Sequence, residues 1–225
     1  KGGAIYALSQ TSTSPIENKV TLRGCLLSEN YATAYGGAIH AEKTTEVSLD
    51  NCTLAGNDVG SFGEEVSVWD SSSYCRFTNC IVWSTAATWL YRKNSAGAGF
   101  RNCLAKALYL SDGSWRGPGD DLGNNIDDDP QFVAFLIPHS GAPVIDCHLQ
   151  PTSPAVNAGD PEGAGAIASD LDGHPRHVGI VDIGAYELTA YHFDSDLDGL
   201  PDDYELAHTN PPSKTALDPD SIPAP

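Results

Sequence analysis

The chain has 225 residues, with 30 acidic side chains against 12 basic ones and a net charge of −18. Phosphate binding needs clustered Lys and Arg, so this balance excludes a nucleic-acid partner, and no run approaches the ~18 apolar residues of a membrane span. Low charge density with 22 Gly and 15 Pro points to a β-rich, turn-rich protein.

Composition divides the chain into segments 1–124, 125–190 and 191–225. It contains no Met and opens on "KGGAIYA", which predicts a processed or excised piece of a longer protein. In the first segment "VTLRGCLLSEN", "VSLDNCTLAGN", "CRFTNCIVWST" and "AGFRNCLAKAL" align on Cys25, Cys52, Cys80 and Cys103, spaced 27, 28 and 23 residues apart. "GGAIYA" at Gly2 recurs as "GGAIHA" at Gly36 and as "GEEVSV" at Gly63, with spacings of 34 and 27. A single inserted loop, "SQTSTSP", accounts for the difference, since repeat proteins vary by insertions at one corner. Each unit therefore carries three short strands. Gly24, Asn51, Asn79 and Asn102 stand between the second and third, and both residue types accept left-handed backbone angles at a corner.

Three strands per turn of about 25 residues predict an all-β, right-handed parallel β-helix, a solenoid of pectin-lyase-like type. A leucine-rich repeat has a similar period but needs an amphipathic helix between strands, and none is written here. Alternation with period two puts Val20, Val47 and Cys75 inside, then Leu22, Leu49, Phe77 and Phe100, then the four aligned cysteines. Stacked in this way the cysteines read most simply as small buried hydrophobes, with disulfides between adjacent coils as the alternative and Cys147 outside the ladder and free. Outward columns on the second strand hold Thr21, Ser48 and Arg76, then Arg23, Asp50, Thr78 and Arg101. Arg76, Arg101 and Asp50 form the best candidate catalytic cluster, against the plainer account of a mixed surface patch. Trp69, Trp83, Trp89, Tyr91 and Trp115 could stack on sugars, although aromatics at strand ends more often serve packing.

From Asn124 the character changes to "NNIDDDPQFV", "HLQPTSPAVNAGDP", "DLDGHPR" and "VDIGAYE". Their turn formers and lack of period predict extended segments lying on the solenoid. The outward residues of the third strand, Leu26, Thr53, Ile81 and Leu104, are too apolar for an open face, so the 125–187 block should cover them. Arg176 then bridges Asp182 or Glu187 as a structural ion pair. His174 and His177 flank "PR", but proline bars a helix and no third ligand is near, so they suggest no metal pair. "SPAVNAGD" followed by "DIGAYE" resembles the C-terminal region of bacterial right-handed β-helix repeat proteins of the choice-of-anchor Q type. That resemblance implies an extracellular or bacterial cell-surface location, a variable anchoring tail and no shared catalytic activity.

The tail here begins "DSDLDGLPDDYE". Asp194, Asp196 and Asp198 offer carboxylates at alternate positions, and Gly199 allows the chain to turn back. The Leu200 carbonyl, Asp202 and a bidentate Glu205 would complete an oxygen shell for Ca²⁺, where the plain account is a solvated acidic tail. All twelve positions resemble an EF-hand loop, and a short helix should follow it. "AYHF" is too short for a full entering helix, so the closer likeness is to the single loops of dockerin-like and thrombospondin-type-3 segments. Asp218 and Asp220 leave a second, partial site open.

The function expected from these readings is a non-catalytic, calcium-stabilised extracellular module with a structural, adhesive or self-assembling role. Its partners would be surface glycans, or other copies stacked end to end on an uncapped first coil. The alternative is a polysaccharide-binding or polysaccharide-cleaving β-helix.

Overall fold

The computed structural model describes residues 2–9, 18–84, 90–93, 96–106, 119–136, 144–163, 167–176 and 179–188. Except for Leu188 these belong to one compact unit, Lys1–Glu187; Leu188–Pro225 form a second. The described residues contain strands and turns and no helix.

The repeats of the sequence are repeats of structure. The first supplies β1 (Ile5–Leu8), β2 (Asn18–Arg23), β3 (Leu26–Ser28) and the short β4 (Tyr31–Ala32). The second supplies β5 (Ile39–Glu42), β6 (Thr45–Asp50), β7 (Thr53–Ala55) and β8 (Asp58–Val59). The third gives β9 (Val66–Trp69), β10 (Tyr74–Thr78) and β11 (Ile81–Trp83); the fourth gives β12 (Leu90–Lys93), β13 (Gly97–Arg101) and β14 (Leu104–Ala105). After β15 (Asp120–Asp121) the chain forms β16 (Phe132–Leu136) and β17 (Val144–Leu149).

Like strands pair with like, giving three parallel sheets ordered β1-β5-β9-β12, β2-β6-β10-β13-β15 and β3-β7-β11-β14. Register carries the columns expected from the sequence. Val20 pairs with Val47 and Val47 with Cys75, while Leu22, Leu49, Phe77 and Phe100 line up in turn. Phe77 and Phe100 stack with ring centroids 4.7 Å apart and planes 6° from parallel. All three sheets contribute to a single apolar core, which includes Ile39, Leu49, Leu54, Phe77 and Val82. In the first repeat Ile5, Val20, Leu22 and Cys25 are only partly buried, because β1, β2 and β3, which carry or flank them, lie at the edges of their sheets.

The corners follow from backbone conformation. Gly24, Asn51, Asn79 and Asn102 have φ of 54°, 49°, 50° and 50°, the left-handed region that Gly and Asn enter most readily. Each turns the chain so that the next cysteine points into the core. Cys52, Cys80 and Cys103 are wholly buried, and all six cysteines are free thiols. Burial pushes the Cys75 thiol up to about 12 and lifts Cys80 as well, since an apolar surrounding disfavours the thiolate. We therefore expect an aromatic disulfide reagent to titrate almost no thiol in native protein and six after denaturation; three disulfides by mass spectrometry would contradict the stacked core.

A second buried layer lies on the third sheet. Ile81 and Leu104 pack with Phe132, Cys147, Leu149, Ala155 and Ile183, which come from the C-terminal block. Thr53, facing the same way, is 1% exposed, and its Oγ1 accepts the Ala185 N–H at 2.9 Å. The 125–187 block therefore covers this apolar face, as its composition required. Its first half differs from expectation, because Phe132–Leu136 and Val144–Leu149 pair antiparallel as a hairpin rather than lying as irregular segments. "FVAFL" and "VIDCHL" have the apolar content to form a two-stranded lid whose inner side is buried.

The corner asparagines hold this block in place. Asn79 and Asp160 exchange two 2.8 Å bonds, Nδ2 to the carbonyl and backbone N–H to Oδ1. Asn51 Nδ2 donates to the Asp182 carbonyl at 3.3 Å, and Gly184 N–H to the Asn79 carbonyl at 2.9 Å. Gly184 has φ of 109° and presses on Ile81 and Thr53 so closely that any Cβ would collide. Both motifs of the block, "SPAVNAGD" and "DIGAYE", are thus its points of attachment.

Candidate functional site

The second sheet presents its outer face to solvent, and here the strand register gathers charge. Thr78 and Arg101 are cross-strand partners, and Arg76 lies two residues back along β10, so the two arginines meet on a diagonal. Both are exposed. They line one cleft of about 390 Å³ together with Thr78, Leu122, Asp160 and Glu162. Its far wall is the 160–163 turn, fixed by the Asn79 bonds and by the Glu162 N–H donating to Asp160 Oδ1 at 3.0 Å. Beside Arg76 the Tyr74 ring lies over Gly97 and Gly99, where any Cβ would run into it. The Arg76 guanidinium stands 5.3 Å from that ring's centroid, and Tyr74 Oη donates to Asp120 at 3.3 Å. The structure thus brings Arg76 and Arg101 together. Asp50 instead accepts from Arg23 Nε at 3.3 Å. The acids that line the cleft, Asp160 and Glu162, were not singled out in the sequence because they lie some 60–85 positions from the arginines.

A second cluster lies on the covering block. Around the 170–174 turn, ligand atoms of Asp170, Asp172 and His174 fall within 4.8 Å of one another. His174 therefore has two carboxylates close by, which corrects the expectation that no further ligand is near; His177 lies outside the described residues. Asp170 is already committed to the turn. Its Oδ1 accepts the N–H groups of Asp172 and His174 at 3.0 and 2.8 Å, and its Oδ2 that of Glu187 at 3.0 Å. His148 joins β17 to this turn, with Nδ1 against Asp146 and Nε2 2.7 Å from Asp172 Oδ2. Carboxylates at both ring nitrogens suit the imidazolium, the only form with two donors. Burial opposes that charge, but the bonds to Asp172 and Asp146 outweigh it and raise the pKa.

Other ionisable groups serve the interior. Arg176 is fully buried, with Nε 3.7 Å from Glu187 and Nη2 donating to the carbonyls of Asp182 and Gly184. This is the structural ion pair expected with Glu187; toward Asp182 the bond is to the backbone. Glu65, also fully buried, accepts the Asn57 N–H at 3.2 Å and the Asn57 side-chain amide. Asn57 in turn accepts from Asn30 one repeat back, at 3.0 and 2.9 Å. Burial pushes Glu65 up to about 8 against the pull of Asn57.

Of the aromatics singled out for sugars, Trp69 packs edge-on against Tyr35 and His40 at 4.4 and 5.3 Å, in a cluster with a buried histidine at its centre. Trp83 lines a separate cleft on the third sheet. Trp89, Trp115 and the side chain of Tyr91 lie outside the described residues. So does the whole calcium loop, Asp194, Asp196, Asp198, Leu200, Asp202 and Glu205, and so do Asp218 and Asp220. No helix among the described residues is long and apolar enough to cross a membrane. Comparison with protein-family models, curated proteins and solved structures found no match.

Proposed function

We propose that the chain is a right-handed parallel β-helix of pectin-lyase-like type, acting as an extracellular or cell-surface adhesive module that holds carboxylate-bearing glycans. The observation that carries this is the convergence of Arg76 and Arg101, from adjacent repeats, in one cleft beside a Tyr74 ring laid along the sheet. Guanidinium groups pair with carboxylates in a directed, bidentate way. A guanidinium in water keeps its proton at every physiological pH, which fits it to hold an anion rather than to abstract a proton. The −18 net charge repels polyanions at long range, so retention has to come from the local pair of arginines. "SPAVNAGD" and "DIGAYE", with their attachment roles, support a relationship to surface β-helix proteins of the choice-of-anchor Q type. In the test, wild-type protein is retained on immobilised polygalacturonate at 0.15 M salt, and Arg76→Glu with Arg101→Glu is not. Equal retention of both, or no retention of either, defeats the reading.

We further propose that Ca²⁺ orders the tail through Asp194, Asp196, Asp198, the Leu200 carbonyl, Asp202 and Glu205. Isothermal titration of the full chain should show binding at about 10⁻⁴ to 10⁻³ M or tighter, lost in Glu205→Ala. Identical titrations of the two proteins would remove the site.

A further inference from the structure

The third sheet carries a second cleft, of about 370 Å³, where the end of β11 meets the hairpin. Trp83, Phe132 and Phe135 form its apolar side, and Asp129, Gln131 and Gln150 its polar side. Each polar side chain is tied at one end and open at the other. Gln131 Oε1 accepts the Thr152 hydroxyl, which leaves its amide NH₂ to donate. Gln150 Nε2 donates to the Phe132 carbonyl at 3.1 Å, which leaves its Oε1 to accept. Asp129 Oδ1 takes the Gln131 N–H at 2.8 Å, leaving Oδ2. Trp83 is half-buried against the second core layer, and its indole N–H donates to no described residue. Phe132 and Phe135 hold each other with centroids 5.8 Å apart, and Lys106 Nζ lies over the Trp83 ring, 5.8 Å from its centroid, as a long exposed side chain that a ligand would displace.

The cleft thus offers both donors and acceptors, each anchored by a bond within the protein, beside apolar rings. A ligand that answers all of them needs groups that donate and accept at once, together with an apolar face. Hydroxyls on a sugar ring, whose C–H bonds line one side, meet that description. A peptide presents separate amide donors and acceptors at strand spacing, whereas the polar groups here are single side chains on one wall of a cleft. Among the residues lining this cleft only Asp129 is charged, with no arginine beside it as in the other cleft, which disfavours an anion. We propose that this cleft is a binding site for a neutral saccharide, stacked on Trp83 and hydrogen-bonded by Gln131, Gln150 and Asp129. Because the side chains are held by bonds to the protein's own backbone and to Thr152, little rotamer freedom remains to be lost on binding. The site is separate from the arginine cleft and does not depend on its function.

The full chain is titrated with cellohexaose, xylohexaose, mannohexaose and hexa-N-acetylchitohexaose by calorimetry and tryptophan fluorescence, with decaproline as the peptide comparator. At least one saccharide is expected to bind. Gln131→Ala and Asp129→Asn are each expected to weaken it about tenfold, the effect of one lost hydrogen bond, and Trp83→Ala to abolish it. Trp83 also packs on the core, so its variant is judged only at an unchanged thermal midpoint, while exposed Asp129 supplies an independent reading. Arg23→Glu, on the second sheet and outside both clefts, should leave the affinity unchanged. Failure of all four saccharides overturns the proposal. So does binding unaffected by Trp83→Ala and Asp129→Asn, or binding of decaproline alone.

Discussion

Thr53→Asp is expected to cost about 3–5 kcal/mol of stability, the scale of an uncompensated buried charge. On the third sheet alone, without the covering block, this residue would point outward and the substitution would be mild. Here it is 1% exposed, its hydroxyl accepts the Ala185 N–H, and Gly184 and Ile81 close over it. An Asp there would replace a satisfied acceptor by a carboxylate against Ile81 and Gly184, and it would have to compete for Arg176 with Glu187 and the carbonyls that already hold that guanidinium. Thr53→Val removes only the acceptor and should cost about 1–3 kcal/mol, the penalty of one stranded buried N–H. Chemical denaturation measures both. A Thr53→Asp protein as stable as wild type would mean that the block does not cover the third sheet.

The fold is expected to be firmer at pH 5.5 than at pH 8. Burial raises Glu65 to about 8 and Glu187 to about 7, and His148 is raised by its two carboxylates despite its burial. Besides burial, the neighbouring charges of Asp182 and Asp170 push Glu187 up, against the pull of the Asp182 N–H and of Arg176. The native state therefore binds these protons more tightly than the unfolded chain does. Their stabilisation is full below the unfolded values near 4.5 for glutamate and 6.5 for histidine. It is lost as pH rises through the raised native values. Within that window Glu65 alone should contribute a loss of about 1 kcal/mol per pH unit. Relief of the repulsion behind the −18 charge acts in the same direction. Glu65→Gln separates the two effects: it keeps one of the two acceptors toward Asn57, removes the titration, and should flatten the slope even if the overall stability falls. Thermal midpoints that climb from pH 5.5 to pH 8 would contradict this assignment.

Much of this architecture is legible in the sequence because a repeat imposes one environment on every equivalent position. A column of Val20, Val47 and Cys75 must share a layer once the strands pair in register, and a Gly or Asn before each aligned Cys must turn the chain. The same logic finds Arg76 and Arg101 on one outer face. It breaks down wherever the partner comes from outside the repeat. Asp160 and Glu162 join the arginines in one cleft through a turn with no period, and Asp50 is claimed by Arg23 on the neighbouring strand. The hairpin was not legible because the turn-rich sequence that precedes β16 masks two short strands paired with each other rather than with the sheets. The bridge from His148 to Asp172 spans 24 residues and joins two elements that only the covering block places side by side.

The central claim is that Arg76 and Arg101 receive a carboxylate-bearing saccharide. The most direct measurement is a nitrogen–proton NMR titration of the arginine Nε–Hε groups with trigalacturonate. The account predicts that the Arg76 and Arg101 resonances shift together and saturate, while those of Arg23, paired with Asp50, and Arg176, buried with Glu187, stay in place. Arg23 moving as far as the other two, or no resonance moving at all, would contradict it.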